Sequence, residues 1–299
     1  MTGSAASALA VLWTIQGINA LNAQDSGARL LEQANAAYRS LKPAEAARLY
    51  RQYLASYRDR ADVRVFLGGA LLNMGDLQPA MDEAQHAIAL DARYGKGYLL
   101  AARVAAAREH WDEAQSFFNR AEKLDPGDPD AWYFSGRAWY DANRFEPAIA
   151  AFQEALRIGA GQSRVYEALG QTQDALGQPQ AAEKSFRKAV DSAGNSWRPY
   201  LSYGAFLYRQ GRPAESLREL RRALALAPES SEVRFELARV LYQENNIEEA
   251  ARVLEPARAS RECRIHNLLA RIYTAAGTDG PAEAEVRALG NCKPAPGER

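Results

Sequence analysis

The chain is poor in the side chains that bind metals and carry redox chemistry. Its 299 residues include two Cys, three His and three Met. So few His and Cys argue against a multi-ligand metal site. A surplus of one charge is also missing: 37 Lys+Arg face 37 Asp+Glu, a formal net charge of zero. Without extra cations to displace the counterions of a phosphate backbone, general nucleic-acid binding is disfavoured. What the chain holds in quantity is alanine, 59 of the 299 residues. The apolar fraction of 47% excludes wholesale disorder.

Residues 1–24 carry no charged side chain, and Asp25 is the first. Residues 8–15 form a short apolar block, with small residues at Ala20 and Ala23 beyond it. This is the layout of a secretory signal peptide over residues 1–23, and it makes the protein an exported one, periplasmic or secreted. No Lys or Arg precedes the block, and Gln16, Asn19 and Asn22 interrupt it. An uncleaved hydrophobic anchor, which would bring a membrane into play, and the plain tail of a cytoplasmic protein therefore stay open. No Cys lies near the junction, which excludes a lipoprotein anchor.

The rest of the chain repeats every 34 residues. Blocks start at Gly27, Ala61, Gly95, Pro129, Ser163, Trp197 and Ser231, and an eighth starts two residues early at Cys263. The eighth position holds Ala34, Gly68, Ala102, Gly136, Gly170, Gly204, Ala238 and Ala270. The twentieth holds Ala46, Ala80, Ala114, Ala148, Ala182, Ser216, Ala250 and Ala282. The twenty-seventh is Ala in six of the eight blocks, with Tyr53 in the first and Leu289 in the last. Large residues, Tyr50, Phe118, Phe152, Phe186, Leu220 and Leu254, recur at position 24. Self-similarity at such a period marks a stack of identical supersecondary units. Within one block the apolar spacing reads as two helices. Gly75, Gly177, Gly211, Asn245 and Gly277 mark the turn between them, where a left-handed backbone is needed. Small side chains at positions 8, 20 and 27 let neighbouring helices approach closely, and stacking buries what one pair cannot.

The pattern, small at 8, 20 and 27 with a large residue at 24 and Pro126 or Pro228 at 32, resembles the tetratricopeptide repeat. The blocks at 61–94, 95–128 and 129–162 are its clearest copies, and Trp132 stands at that family's preferred aromatic position. The resemblance implies an all-α fold: a right-handed α-α superhelical solenoid of about eight helix pairs over residues 24–290, with a short tail at 291–299. Leu41 and Tyr53 in the first block, and Asp279-Gly280-Pro281 in the last, depart from it as terminal caps would.

The same resemblance implies a concave groove lined by the first helices. Its lining positions carry Phe66, then Leu99 and Arg103, then Tyr133, Phe134, Arg137 and Tyr140. Further along they carry Tyr208 and Arg209, then Phe235, Arg239 and Tyr242, then Arg271. Aromatics and Arg dominate binding hot spots, and Arg suits partner carboxylates. Arg103 and Arg137 share a position in adjacent blocks, so they are expected as neighbours, as are Arg239 and Arg271. Asp141, Asp174 and Glu236 fall on the same face, so pairing within the chain is the plainer alternative. The Lys and Asn set of the co-chaperone clamp is absent from any three consecutive blocks.

Cys263 opens the last block's first helix and Cys292 follows its second. In an antiparallel pair those ends are adjacent, so a disulfide could form there; two free thiols are the alternative. His86, His110 and His266 fall at unrelated block positions. Ser185-Phe186-Arg187-Lys188 matches a penicillin-binding nucleophile motif but spans a repeat's second helix. No catalytic constellation, cofactor loop or metal set emerges. The expected function is a non-enzymatic protein-interaction scaffold, taking an extended or helical segment of a protein or peptide partner in cell-envelope assembly or secretion. A regulatory or small-ligand-binding subunit of an enzyme complex is the alternative.

Overall fold

The computed structural model describes residues 26–159, 161–260 and 262–292. The segment read as a leader, 1–23, and most of the C-terminal tail lie outside these residues. The chain divides into two compact units, Met1–Arg144 and Phe145–Arg299.

The first unit contains α1 (26–39), α2 (Pro43–Ser56), α3 (Ala61–Met74), α4 (Leu77–Leu90), α5 (Gly95–Ala107), α6 (Trp111–Leu124) and α7 (Pro129–Asp141). The second contains α8 (Phe145–Ile158), α9 (Gln162–Ala175), α10 (Pro179–Asp191), α11 (Arg198–Arg209) and α12 (Pro213–Leu226). It continues with α13 (Ser231–Gln243), α14 (Ile247–Leu254), α15 (Cys263–Ala275) and α16 (Asp279–Ala288). No β-strand occurs among the described residues. Within each unit, consecutive helices pack on one another, and first helices of adjacent blocks also touch, as α3 on α5 and α11 on α13. The unit boundary falls at the turn of the fourth block, after Arg144.

One local device closes all eight blocks. The residue at position 15 is left-handed throughout: Leu41, Gly75, Glu109, Asn143, Gly177, Gly211, Asn245 and Gly277, with φ from 55° to 83°. The next residue's N–H then donates to the carbonyl of position 11, at 2.8 to 3.0 Å in every block, for example Asp76 to Leu71 and Asn246 to Leu241. This satisfies a carbonyl that the helix end would otherwise leave unpaired. Leu41 and Glu109 carry a Cβ in this conformation, which costs roughly 1–2 kcal/mol each.

The small columns do what their size allows. A Cβ on Gly204 would lie 2.8 Å from Leu220, and one on Gly170 would lie 3.0 Å from the Phe186 ring. Glycine at position 8 thus seats the large residue of position 24 directly on backbone. Phe118, Phe152, Phe186, Leu220 and Leu254 are all at most 1% exposed. Burying each such side chain stabilises by about 1.5–3 kcal/mol. Ser216, in the alanine column, is fully buried, and its hydroxyl donates to the Gly204 carbonyl at 2.7 Å. Tyr53 in the first block is buried and stacks on Tyr57 at 5.0 Å.

Candidate protein-binding surfaces

The odd-numbered helices open each block and share one face in each unit. Side chains on that face come from block positions one helical turn apart, so they form columns running from repeat to repeat.

In the first unit the face is mainly aromatic. Phe66 of α3 is 41% exposed, edge-on to Tyr38 at 5.9 Å and stacked over Tyr50 at 6.0 Å. Tyr133 and Phe134 of α7 meet edge to face at 5.2 Å. The Arg103 guanidinium of α5 lies over the Phe134 ring at 4.1 Å, joining the third block to the fourth. Arg137 lies over Tyr140 at 5.4 Å and reaches Asp141 at 3.6 Å. Burial raises the Asp141 carboxyl's pKa, with Arg137 opposing. The expected Arg103–Arg137 site is therefore two guanidiniums seated on two different rings. Leu99 requires a correction. It is 7% exposed and belongs to the core, because α5 presents that side chain inward to its neighbours.

The second unit repeats one arrangement. Arg239 of α13 lies over Tyr208 of α11 at 5.3 Å. Arg271 of α15 lies over Tyr242 of α13 at 5.2 Å. Both use position 9 of one block over position 12 of the block before. Arg264 of α15 lies over Phe235 of α13 at 5.0 Å, a third rung of the same kind. Arg264 is absent from the residues the sequence singled out. The readable signal was an Arg at position 2 following an aromatic at position 5 of the previous block.

Several of these cations also have carboxylates. Arg209 pairs with Asp174 of α9 at 2.6 Å, Arg239 with Glu236 at 2.7 Å and Arg264 with Glu262 at 2.7 Å. For Arg137, Arg209 and Arg239 the plainer, intramolecular alternative describes the geometry, through Asp141, Asp174 and Glu236. Arg271 is exposed and has no carboxylate partner among the described residues.

Cys263 and Cys292 are joined by a disulfide, with their Cα atoms 5.0 Å apart. The three histidines do not converge: His110 approaches Glu113 at 3.3 Å, and His266 approaches Glu285 at 2.6 Å in the last block. Ser185 donates to Gln173 at 2.6 Å, with Phe186 in the core, so Ser185-Phe186-Arg187-Lys188 is part of the helix packing. Among the described residues no helix is long and apolar enough to cross a membrane, and no three His, Cys, Asp or Glu side chains are grouped to hold a metal ion.

Two-helix units in fixed register, with left-handed turns, small contact columns and a ladder of first helices, define a helical-repeat protein. The tetratricopeptide repeat matches residues 31–94, 99–163, 167–231 and 207–272, most of the chain, and the chain belongs to that family. It is similar to the BBSome complex member BBS4 homolog of Drosophila melanogaster, 28% identical over 172 residues. That match covers 53% of this chain and 35% of the relative, so it spans about a third of that protein's length. Among solved structures, the APC/C hetero-tetramer Cut9–Hcn1 aligns with TM-score 0.63 at 15% identity, over 87% of this chain and 52% of that one. Yeast Tom70 aligns with TM-score 0.61 at 18% identity, over 82% of this chain and 51% of that one. PilW, a type IV pilus biogenesis factor, aligns with TM-score 0.57 at 19% identity, over 66% of this chain and 92% of that one. These likenesses establish the fold.

Proposed function

We propose that the chain is a non-enzymatic scaffold that holds an extended or helical segment of a partner protein along its first helices, and that the second unit selects an acidic segment. The observation that carries this is the ladder of Arg239, Arg264 and Arg271, each stacked on a ring from the preceding repeat. A guanidinium lying on a ring is held in place. Arg239 and Arg264 already turn N–H groups to Glu236 and Glu262, whereas Arg271 has no carboxylate partner among the described residues and can offer its N–H edge to a carboxylate of the partner. At the lining positions of α11, α13 and α15 there are five Arg, at 198, 209, 239, 264 and 271, against Glu232 and Glu236, and with Asp174 and Glu262 paired to Arg209 and Arg264 this leaves an excess of one cation. The local field therefore favours an anionic chain although the whole molecule is neutral.

The test uses fluorescein-labelled deca-glutamate and deca-lysine peptides, followed by anisotropy. Deca-glutamate binds, and added salt weakens it. Arg271→Glu weakens it by roughly 1–3 kcal/mol, the worth of a charge-assisted contact, without changing the melting temperature. Preference for deca-lysine would overturn the acidic-segment reading.

The setting we favour is the cell envelope, reached by export. An uncharged N-terminal segment and a disulfide both suit a chain that leaves a reducing compartment. The likeness in fold to a pilus biogenesis factor is compatible with that setting. Mass spectrometry of the protein purified from its own cells checks it: a new N-terminus near residue 24 is expected, and an intact, cytosolic Met1 form would count against export.

A further inference from the structure

The last helix is attached differently from every other second helix. α4, α6, α8, α10, α12 and α14 each bury a large apolar residue: Met81, Phe118, Phe152, Phe186, Leu220 and Leu254. α16 has only ten residues and buries Ala282 and Glu285 alone. The register that puts Leu254 inside α14 puts Val286 at the matching place in α16, yet Val286 is 59% exposed and its neighbour Glu285 is 0% exposed. α12 also buries a carboxylate at this position, Glu219, but with Leu220 buried beside it, whereas in α16 Glu285 is buried with no large apolar neighbour on its own helix. Glu285 is held by His266 at 2.6 Å and Arg258 at 2.5 Å. A buried ionic group of this kind fixes geometry and adds little net stability, because desolvation offsets attraction. A ten-residue helix is also marginal by itself in water.

The two ends of this pair are joined by the bond between Cys263, the first residue of α15, and Cys292, just past α16. It ties the two open ends of the hairpin together across 29 residues of sequence and confines the chain when α16 lifts off. Both cysteines are half-buried and not sealed in the core.

We propose that Cys263–Cys292 is a redox latch: opening it releases α16 from α15 and so loosens the two Arg–aromatic rungs that α15 supplies to the binding face. The regulatory half of this rests on the acidic-segment reading above. The reductant is a dithiol. One of its thiolates attacks a sulfur of the bond and forms a mixed disulfide. Its second thiolate then resolves that intermediate, so the dithiol becomes a disulfide and Cys263 and Cys292 each take up a proton as thiols. Two electrons pass from the reductant to the protein. α15 loses its antiparallel mate, and Arg264 and Arg271, which it carries, are no longer held rigidly over Phe235 and Tyr242 of α13.

The experiment compares the full chain, oxidised and after dithiothreitol with alkylation, by hydrogen exchange and by deca-glutamate anisotropy. On reduction, exchange across residues 279–291 rises by at least about tenfold while α2–α12 stay unchanged. Deca-glutamate affinity falls by about tenfold, as expected for losing a supported charge-assisted contact. Glu285→Leu supplies the missing apolar anchor, so this variant keeps α16 protected after reduction and serves as the control. Unchanged exchange in 279–291, or unfolding of the whole chain, would overturn the latch. Opening of α16 with unaltered peptide affinity would overturn the regulation. If the oxidised protein never binds deca-glutamate, the binding reading fails, and exchange alone still judges the latch.

Discussion

At the scale of single residues, the fold carries costs that its repeats do not need. Leu41 and Glu109 hold φ of 55° and 61° where the matching residues are Gly or Asn. Position 15 has no choice, because the hairpin closes only when position 16 can reach back to position 11. Leu41 is also 79% exposed, so it gains little from burial. Leu41→Gly should therefore raise stability by about 1 kcal/mol, the left-handed penalty less the extra chain entropy of glycine. Thermal melting checks this, and a lower melting temperature would show that Leu41 makes contacts worth more than its strain. Glu122 of α6 is a second costly residue. Burial pushes its carboxyl up to about 7 from 4.5, with the Ser135 hydroxyl opposing. Its Oε1 is buried with no hydrogen-bond partner among the described residues. The folded chain keeps this proton over a range in which the unfolded chain has lost it. Stability from Glu122 is thus complete below about 4.5 and disappears as pH rises through about 7. The wild-type melting temperature should fall from pH 5 to pH 8 relative to Glu122→Gln; a constant offset between the two would contradict the assignment.

At the scale of helices, the contact columns decide which substitutions are tolerated. Ala182 of α10 is fully buried, and α10 packs on α9 around Phe186. Leucine there has no space without moving a helix, so Ala182→Leu should destabilise by roughly 1–3 kcal/mol. Equilibrium denaturation reads this directly, and an unshifted midpoint would mean the column is loosely packed. Periodicity made these columns legible in advance, because a helix spacing restricts size at the same place in every block. The turn column was legible where the residue was Gly or Asn and missed at Glu109, whose side chain gives no hint of a left-handed backbone. The recognition face was legible as a list of positions and not as a geometry. Which ring an arginine selects depends on rotamers: Arg103 turns to the next block's Phe134, whereas Arg239 turns to the previous block's Tyr208. Leu99 was assigned to that face, and helix rotation placed it in the core. The turning of α16, with Glu285 inward and Val286 outward, was likewise invisible, since a hydrophobic pattern predicts the reverse.

At the scale of the whole molecule, stability is a sum of repeats and of contacts between neighbours. The long-range structure of each unit consists of adjacent helices and adjacent first helices, such as α9 with α11 and α13 with α15. Within each unit a defect does not travel far, because among the described residues each block packs on the blocks beside it. The lesion at Ala182 should consequently have a gradient. Amide exchange should rise most in α9 and α10, less in α11 and α12, and not at all in α2 to α4. Hydrogen exchange with mass spectrometry resolves these peptides. A uniform rise along the chain would mean that the repeats unfold as one cooperative block. The additive picture of this fold, including a terminal hairpin able to open by itself, would then be wrong.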